Sequence, residues 1–168
     1  MVVQRTRYLF LLCSFMLMAA CTLSIPVGQN PTSTYPDLLI SMEKRPCFGK
    51  CPVYKLTIDG NGDVFYEGEI NVAVNGKRNT RINSEQIDAL VTAIEKSNFF
   101  LLEDKYRVPA TDLPSIVLSI TLNGHSKSIW HYGTLECNGN LDGAPKELCE
   151  LENKIEEIVN SDQWVKPN

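Results

Sequence analysis

Val53-Tyr54-Lys55-Leu56-Thr57-Ile58-Asp59-Gly60-Asn61-Gly62-Asp63-Val64-Phe65-Tyr66-Glu67-Gly68 is the stretch on which the fold turns. Tyr54, Leu56 and Ile58 alternate with Lys55 and Thr57, the period of two that marks a half-buried strand. Asp59 to Asp63 contains two glycines, which admit positive φ, and predicts a turn. Val64 to Gly68 returns as the next strand. Pairing Ile58 with Val64 sets Val64 and Tyr66 beside Leu56 and Tyr54 on one apolar face.

Upstream, Leu38 to Glu43 predicts a first strand. Downstream, a short hairpin is expected around Asn75-Gly76, ending near Ile82. Asn83 caps a helix, with Gln86 placed to reach back, and Ile87, Leu90, Val91 and Ile94 form its apolar stripe. The helix ends near Ser97-Asn98, Phe99 to Leu102 plug the core, and residues 103–114 read as loop. Ile116, Leu118, Ile120 and Leu122 alternate as a strand, Asn123-Gly124 turns it, and Ser126 to Tyr132 returns. Pro145 opens a last helix with Leu148, Leu151, Ile155 and Ile158 on its buried face. The expected class is α+β: an antiparallel sheet of hairpins with two amphipathic helices packed on one face.

The N-terminus reads as a lipoprotein leader over residues 1–20. Arg5 and Arg7 form a positive region, Tyr8 to Met18 an apolar run too short to span a bilayer comfortably, and Met18-Ala19-Ala20-Cys21 resembles a bacterial lipobox. Cys21 is then the acylated residue, carrying chains such as palmitate that hold the protein on a membrane. Thr22, rather than Asp, follows it, which points to the outer membrane and its periplasmic face. Residues 21–36 hold the lipidated cysteine and a Pro/Ser/Thr-rich linker, and 37–168 form a single domain. The chain has 16 basic and 20 acidic residues; without Arg5 and Arg7 the balance falls from −4 to −6. That argues against a nucleic-acid binder, which needs a basic face.

Four cysteines follow the leader: Cys47, Cys51, Cys137 and Cys149. An even number in an exported chain reads as disulfides, and four cysteines allow three pairings. The expected closures are the short ones, Cys47–Cys51 and Cys137–Cys149, each stabilising by about 2–3 kcal/mol. The competing reading is a redox or metal site, because Cys-x-x-x-Cys-Pro resembles the motif of copper-chaperone-like thioredoxin relatives. Those use two thiolates and a distant histidine, here Cys47, Cys51 and His131. Their second cysteine begins a helix whose dipole lowers the thiol pKa. Here Cys51-Pro52 runs into a strand, and no βαβ pattern surrounds it. Four-thiolate zinc expects two tight pairs, but 11 residues separate Cys137 from Cys149.

His125 falls in a turn. The side His131 faces depends on the hairpin loop: two residues would put it with Ile116 and Leu118, three would turn it outward and bury Trp130 and Tyr132. Three is the expectation, because it also keeps Lys127 out of the core. Glu147, Glu150, Glu152, Glu156 and Glu157 read as a solvated helix face. There is no Gly-x-Ser-x-Gly elbow, phosphate loop, His-Glu-x-x-His or dinucleotide fingerprint.

Ile40-Ser41-Met42-Glu43, Cys47-Phe48-Gly49-Lys50-Cys51-Pro52-Val53-Tyr54, Ile58-Asp59-Gly60-Asn61-Gly62 and Tyr66-Glu67-Gly68 resemble a bacterial domain of unknown function, DUF6438. Asp112-Leu113-Pro114, His131-Tyr132, Ala144-Pro145, Leu151-Glu152 and Trp164-Val165 extend the resemblance over about residues 38–165. It implies the extent of the domain and brings no activity with it. The functional expectation is a lipid-anchored cell-envelope module, binding or structural rather than enzymatic. It needs no cofactor, and its partners are the membrane and another envelope protein. The alternative is an envelope thiol-redox or copper- or zinc-binding protein using Cys47 and Cys51.

Overall fold

A computed structural model of the chain describes residues 33–133 and 144–167. The expected leader, Cys21, the expected linker up to residue 32 and Cys137 lie outside the described residues. In chain order the elements are β1 (Leu39–Arg45), β2 (Val53–Asp59), β3 (Asp63–Ile70), β4 (Gly76–Arg81), α1 (Ser84–Lys96), β5 (Lys105–Arg107), β6 (Ser115–Leu122), β7 (His125–Tyr132), α2 (Lys146–Val159) and α3 (Asp162–Val165). A single 3-10 turn, Phe99–Leu101, follows α1.

The strands form one sheet in the order β4-β3-β2-β1-β6-β7-β5. β1 is its centre, antiparallel to β2 on one side and β6 on the other. Ile40 faces Ile58 and Ile120 across the two ladders, and Met42 faces Leu56 and Leu118. All six are buried, while Ser41 between them pairs with Thr57 and Ser119 on the other face. Each fully buried aliphatic side chain stabilises by about 1.5–3 kcal/mol, so this register could not slip by one residue without inverting the core. The predicted pairing of Ile58 with Val64 and Leu56 with Tyr66 is the one observed.

The α+β class holds, but the sheet is mixed rather than wholly antiparallel. β5, inside the segment expected to be loop, pairs parallel with β7 through Lys105↔Trp130, Tyr106↔His131 and Arg107↔Tyr132. Three residues are too few to display a period, which is why the sequence hides this strand.

Asn83 caps α1 as predicted. Its side chain accepts from the Gln86 N–H at 2.9 Å, and the Gln86 side chain accepts from the Asn83 N–H at 3.0 Å. Ile87, Leu90, Val91 and Ile94 are buried. They join the apolar cluster formed by the strands and by Leu148, Leu151, Ile155 and Val159 of α2. Ile158, expected in that stripe, is only partly buried. Phe99 is buried, but Leu101 is 84% exposed instead of plugging the core. Asn98 in the left-handed region (φ 52°) bends the chain so that the last residue of the turn points away.

Contacts trace α2 and α3 across the sheet. Glu152 meets His131 of β7, Glu156 meets Lys44 of β1 and Tyr54 of β2, and Trp164 lies 4.9 Å from the Tyr66 ring of β3. The Gln86 amide donates to Ile158 O at 3.1 Å, joining the start of α1 to the end of α2.

Before β1, Ser33 Oγ donates to Gly60 O. A Cβ on Gly60 would come within 1.9 Å of Tyr35 O, so only glycine allows the N-terminal segment to lie against the β2–β3 turn. Asp37 Oδ2 accepts from the Gly124 N–H at 2.6 Å, which holds its carboxyl below the ordinary range. The chain therefore enters the domain between the β2–β3 and β6–β7 turns.

Asn83→Ala removes the side-chain half of the capping box and leaves the Gln86 N–H without its acceptor. The expected cost is about 1 kcal/mol, read as a lowered urea midpoint with an unchanged slope.

Candidate functional site

The β6–β7 turn decides what the site contains. Leu122 pairs with His125, so the loop is the two residues Asn123 and Gly124, with φ of 52° and 76°. This is the positive-φ pair that a tight hairpin demands. The expected three-residue loop is therefore wrong, and with it the expected facing of β7. His131 points into the core and is 2% exposed. Trp130 and Tyr132 stack on the other face, with their ring centroids 5.4 Å apart. The concern over Lys127 is met differently. It shares the side of Ile129, but its long stem carries Nζ to the rim, 2.7 Å from Asp104 Oδ1.

Directly over His131 lies Glu152 of α2, also 2% exposed. His131 Nδ1 is 3.1 Å from both carboxylate oxygens. Glu152 was expected on the solvated helix face. A signal in the sequence was available: it lies four residues after Leu148 and three before Ile155, on the apolar stripe itself. One turn further, Glu156 accepts from Lys44 Nζ at 2.8 Å and from the Tyr54 hydroxyl. The Lys44 ammonium also sits 5.6 Å from the Tyr54 ring centroid. The result is a polar seam between α2 and the sheet, running His131–Glu152 and then Lys44–Glu156–Tyr54.

Burial governs its protons. It pushes the Glu152 carboxyl above the ordinary range, and the His131 hydrogen bond pulls it only partly back. It also pushes the Tyr54 phenol far above the ordinary range, with the Glu156 charge adding to the effect. Together His131 and Glu152 form a buried hydrogen-bonded pair. At this burial the pair secures α2 over β7, and the desolvation of each group makes losing either one costly.

The cysteines lie at the same end of the sheet. Cys47 and Cys51 form a disulfide with Cα atoms 5.8 Å apart. The loop they close is pinned by the Phe48 N–H, which donates to Asp112 O at 3.0 Å, and by Asn71 Nδ2, which donates to Cys51 O at 3.1 Å. At its tip Phe48 is 88% exposed. Cys149 is buried and also disulfide-bonded; the expected partner, Cys137, is outside the described residues. Cys51 and Cys149 both line a small cleft of about 80 Å³, together with Lys44, Arg45, Ser115 and Glu152. Among the described residues no group of three or more His, Cys, Asp and Glu side chains is arranged to hold a metal. His131 is not brought to the Cys47–Cys51 pair by any described contact; its Nδ1 is taken up by Glu152. His125 is exposed, the first residue of β7 rather than part of the turn, with its ring 5.9 Å from that of Phe100.

Glu152→Ala strips a buried imidazole of its carboxylate and is expected to cost about 3–5 kcal/mol in urea unfolding at neutral pH. Glu152→Gln tests the proton. A carboxyl raised in the folded state from 4.5 contributes stability that is complete below that value and lost as pH rises. The stability of the natural protein minus that of Glu152→Gln should therefore shrink as pH is raised from about 4.5. A difference that grows instead would mean the carboxyl is lowered.

Residues 38–159 match a protein family described as "Domain of unknown function (DUF6438)". No curated protein matches the chain. The matched segment takes in β1 to β7 and α2, with the disulfide loop and the His131–Glu152 pair inside it. On that extent of match, the chain belongs to the DUF6438 family.

Proposed function

We propose that this protein is a lipid-anchored module of the cell envelope, tethered through Cys21 on the periplasmic face of the outer membrane, that binds another envelope protein rather than catalysing a reaction. The observation that carries this reading is the Cys47–Cys51 loop. It is closed covalently, pinned by two hydrogen bonds, and puts an 88% exposed phenylalanine at its tip. A large aromatic held rigid in water loses little entropy on binding and is the kind of side chain that anchors interfaces. β1 runs between the chain entry and the disulfide loop. Its first residue follows the segment packed on the β2–β3 turn, and its last precedes Cys47. The seven residues of β1 rise about 3.3 Å each, so the loop stands roughly 20 Å from where the chain enters.

A second reading, thiol-redox or metal-binding chemistry at Cys47 and Cys51, draws support from the cleft that Cys51 shares with Cys149 and the buried Glu152. It requires Cys47 and Cys51 to occur as thiols in the exported protein. Cys51 leads through Pro52 into β2, so no helix terminus lowers its thiol pKa.

A photoreactive amino acid in place of Phe48 should give a discrete cross-linked envelope protein in living cells. The same group in place of Glu67, an exposed residue of β3, should not. Equal yields from both positions, or none from position 48, would contradict the proposed binding loop.

A further inference from the structure

We infer that the end of the domain opposite the disulfide loop rests on the bilayer itself, with Leu101 as the side chain that enters it. This rests on the proposed acylation of Cys21 and adds a surface and an orientation to it.

Leu101 is 84% exposed; among the described residues the next most exposed large aliphatic side chain is Ile70, at 51%. It is held rigidly. Its N–H donates to Asn98 O at 2.8 Å, and Phe99, two residues before it, is fully buried. The Phe100 ring packs edge-on against Phe99 with centroids 5.6 Å apart. Beside Leu101 lies a hollow of about 280 Å³ lined by Ile94, Phe99, Phe100, Leu122 and His125. The tip is therefore an apolar knob on a rooted base, not a floppy loop end.

The position of the tether selects the occupant. The β6–β7 turn that borders this hollow is the one whose Gly124 N–H binds Asp37. Only residues 22–32 separate Cys21 from Ser33, which is bonded to the neighbouring β2–β3 turn. Eleven residues reach at most about 40 Å when extended and average roughly 20 Å as a flexible chain. The knob is thus held close over the membrane at high effective concentration. One leucine is too weak to hold a free protein on a bilayer, but it can orient one already anchored by acyl chains. Glu95 borders the same hollow, and Asp37 is bonded to the turn beside it. That charge favours zwitterionic headgroups over anionic ones.

The test uses the full acylated protein, purified from envelopes and placed in phosphatidylethanolamine–phosphatidylcholine vesicles carrying a nitroxide quencher in the upper acyl region. An environment-sensitive fluorescent amino acid replaces Leu101 in one sample and Phe48 in another. Quenching several-fold stronger at 101 than at 48 is expected, with Leu101→Ser remaining folded and vesicle-bound. Equal or weaker quenching at 101, on protein that still floats with the vesicles, would overturn the membrane face and leave the anchor standing. Protein that fails to float, behaving as Cys21→Ser does, would overturn both.

Discussion

β1 is the constraint on which the rest depends. It is laddered on both edges, to β2 and to β6, through residues whose inward side chains are completely buried. Among the described strands no other has the N-terminal segment at its start and the disulfide loop at its end. Because a central strand cannot slide without turning its apolar side chains to water, these two features are held at opposite ends of the sheet. A flat surface protein could present any face to its surroundings. This one is polarised by its own topology.

The polar seam under α2 solves a different problem. A helix laid across several strands on apolar contacts alone can rotate or shift with little penalty. His131–Glu152 over β7 and Lys44–Glu156–Tyr54 over β1 and β2 tie it at two points one helical turn apart. Buried charge pairs are weak evidence of net stability, since their desolvation offsets much of their attraction. Their contribution is better understood as specificity: any other docking of α2 would leave a carboxylate or an imidazole buried and badly matched. The seam also closes the floor of the cleft beside Cys51 and Cys149, so the register of the helix and the placement of the disulfides are set together.

Much of this was legible in the residues. The hairpin from Val53 to Gly68, the capping box at Asn83 and the local closure of Cys47 with Cys51 all follow from short-range chemistry, and all three appear as read. What escaped was decided at longer range. Whether Asn123-Gly124 closes with two residues or three depends on which face of β7 wins burial. The preference for three rested on Lys127, whose stem in fact reaches Asp104 at the rim. Glu152 was hidden by its residue type, because a carboxylate on an apolar stripe makes sense only once His131 is known to stand opposite. β5 was too short to show a period, and Leu101 faces out because of a left-handed residue three positions earlier.

In the proposed function these features would make a body anchored at one end, secured by disulfides, and offering an aromatic tip at the other. All of it presupposes export, acylation and oxidation of one polypeptide. The most direct measurement is the intact mass of the protein recovered from envelopes without reduction, with and without a thiol-blocking reagent. The account predicts a chain that begins at Cys21, carries diacylglycerol and a further acyl group, and takes up no blocking reagent at Cys47, Cys51, Cys137 or Cys149. A chain retaining residues 1–20, with Cys21 unmodified and those thiols free, would contradict it.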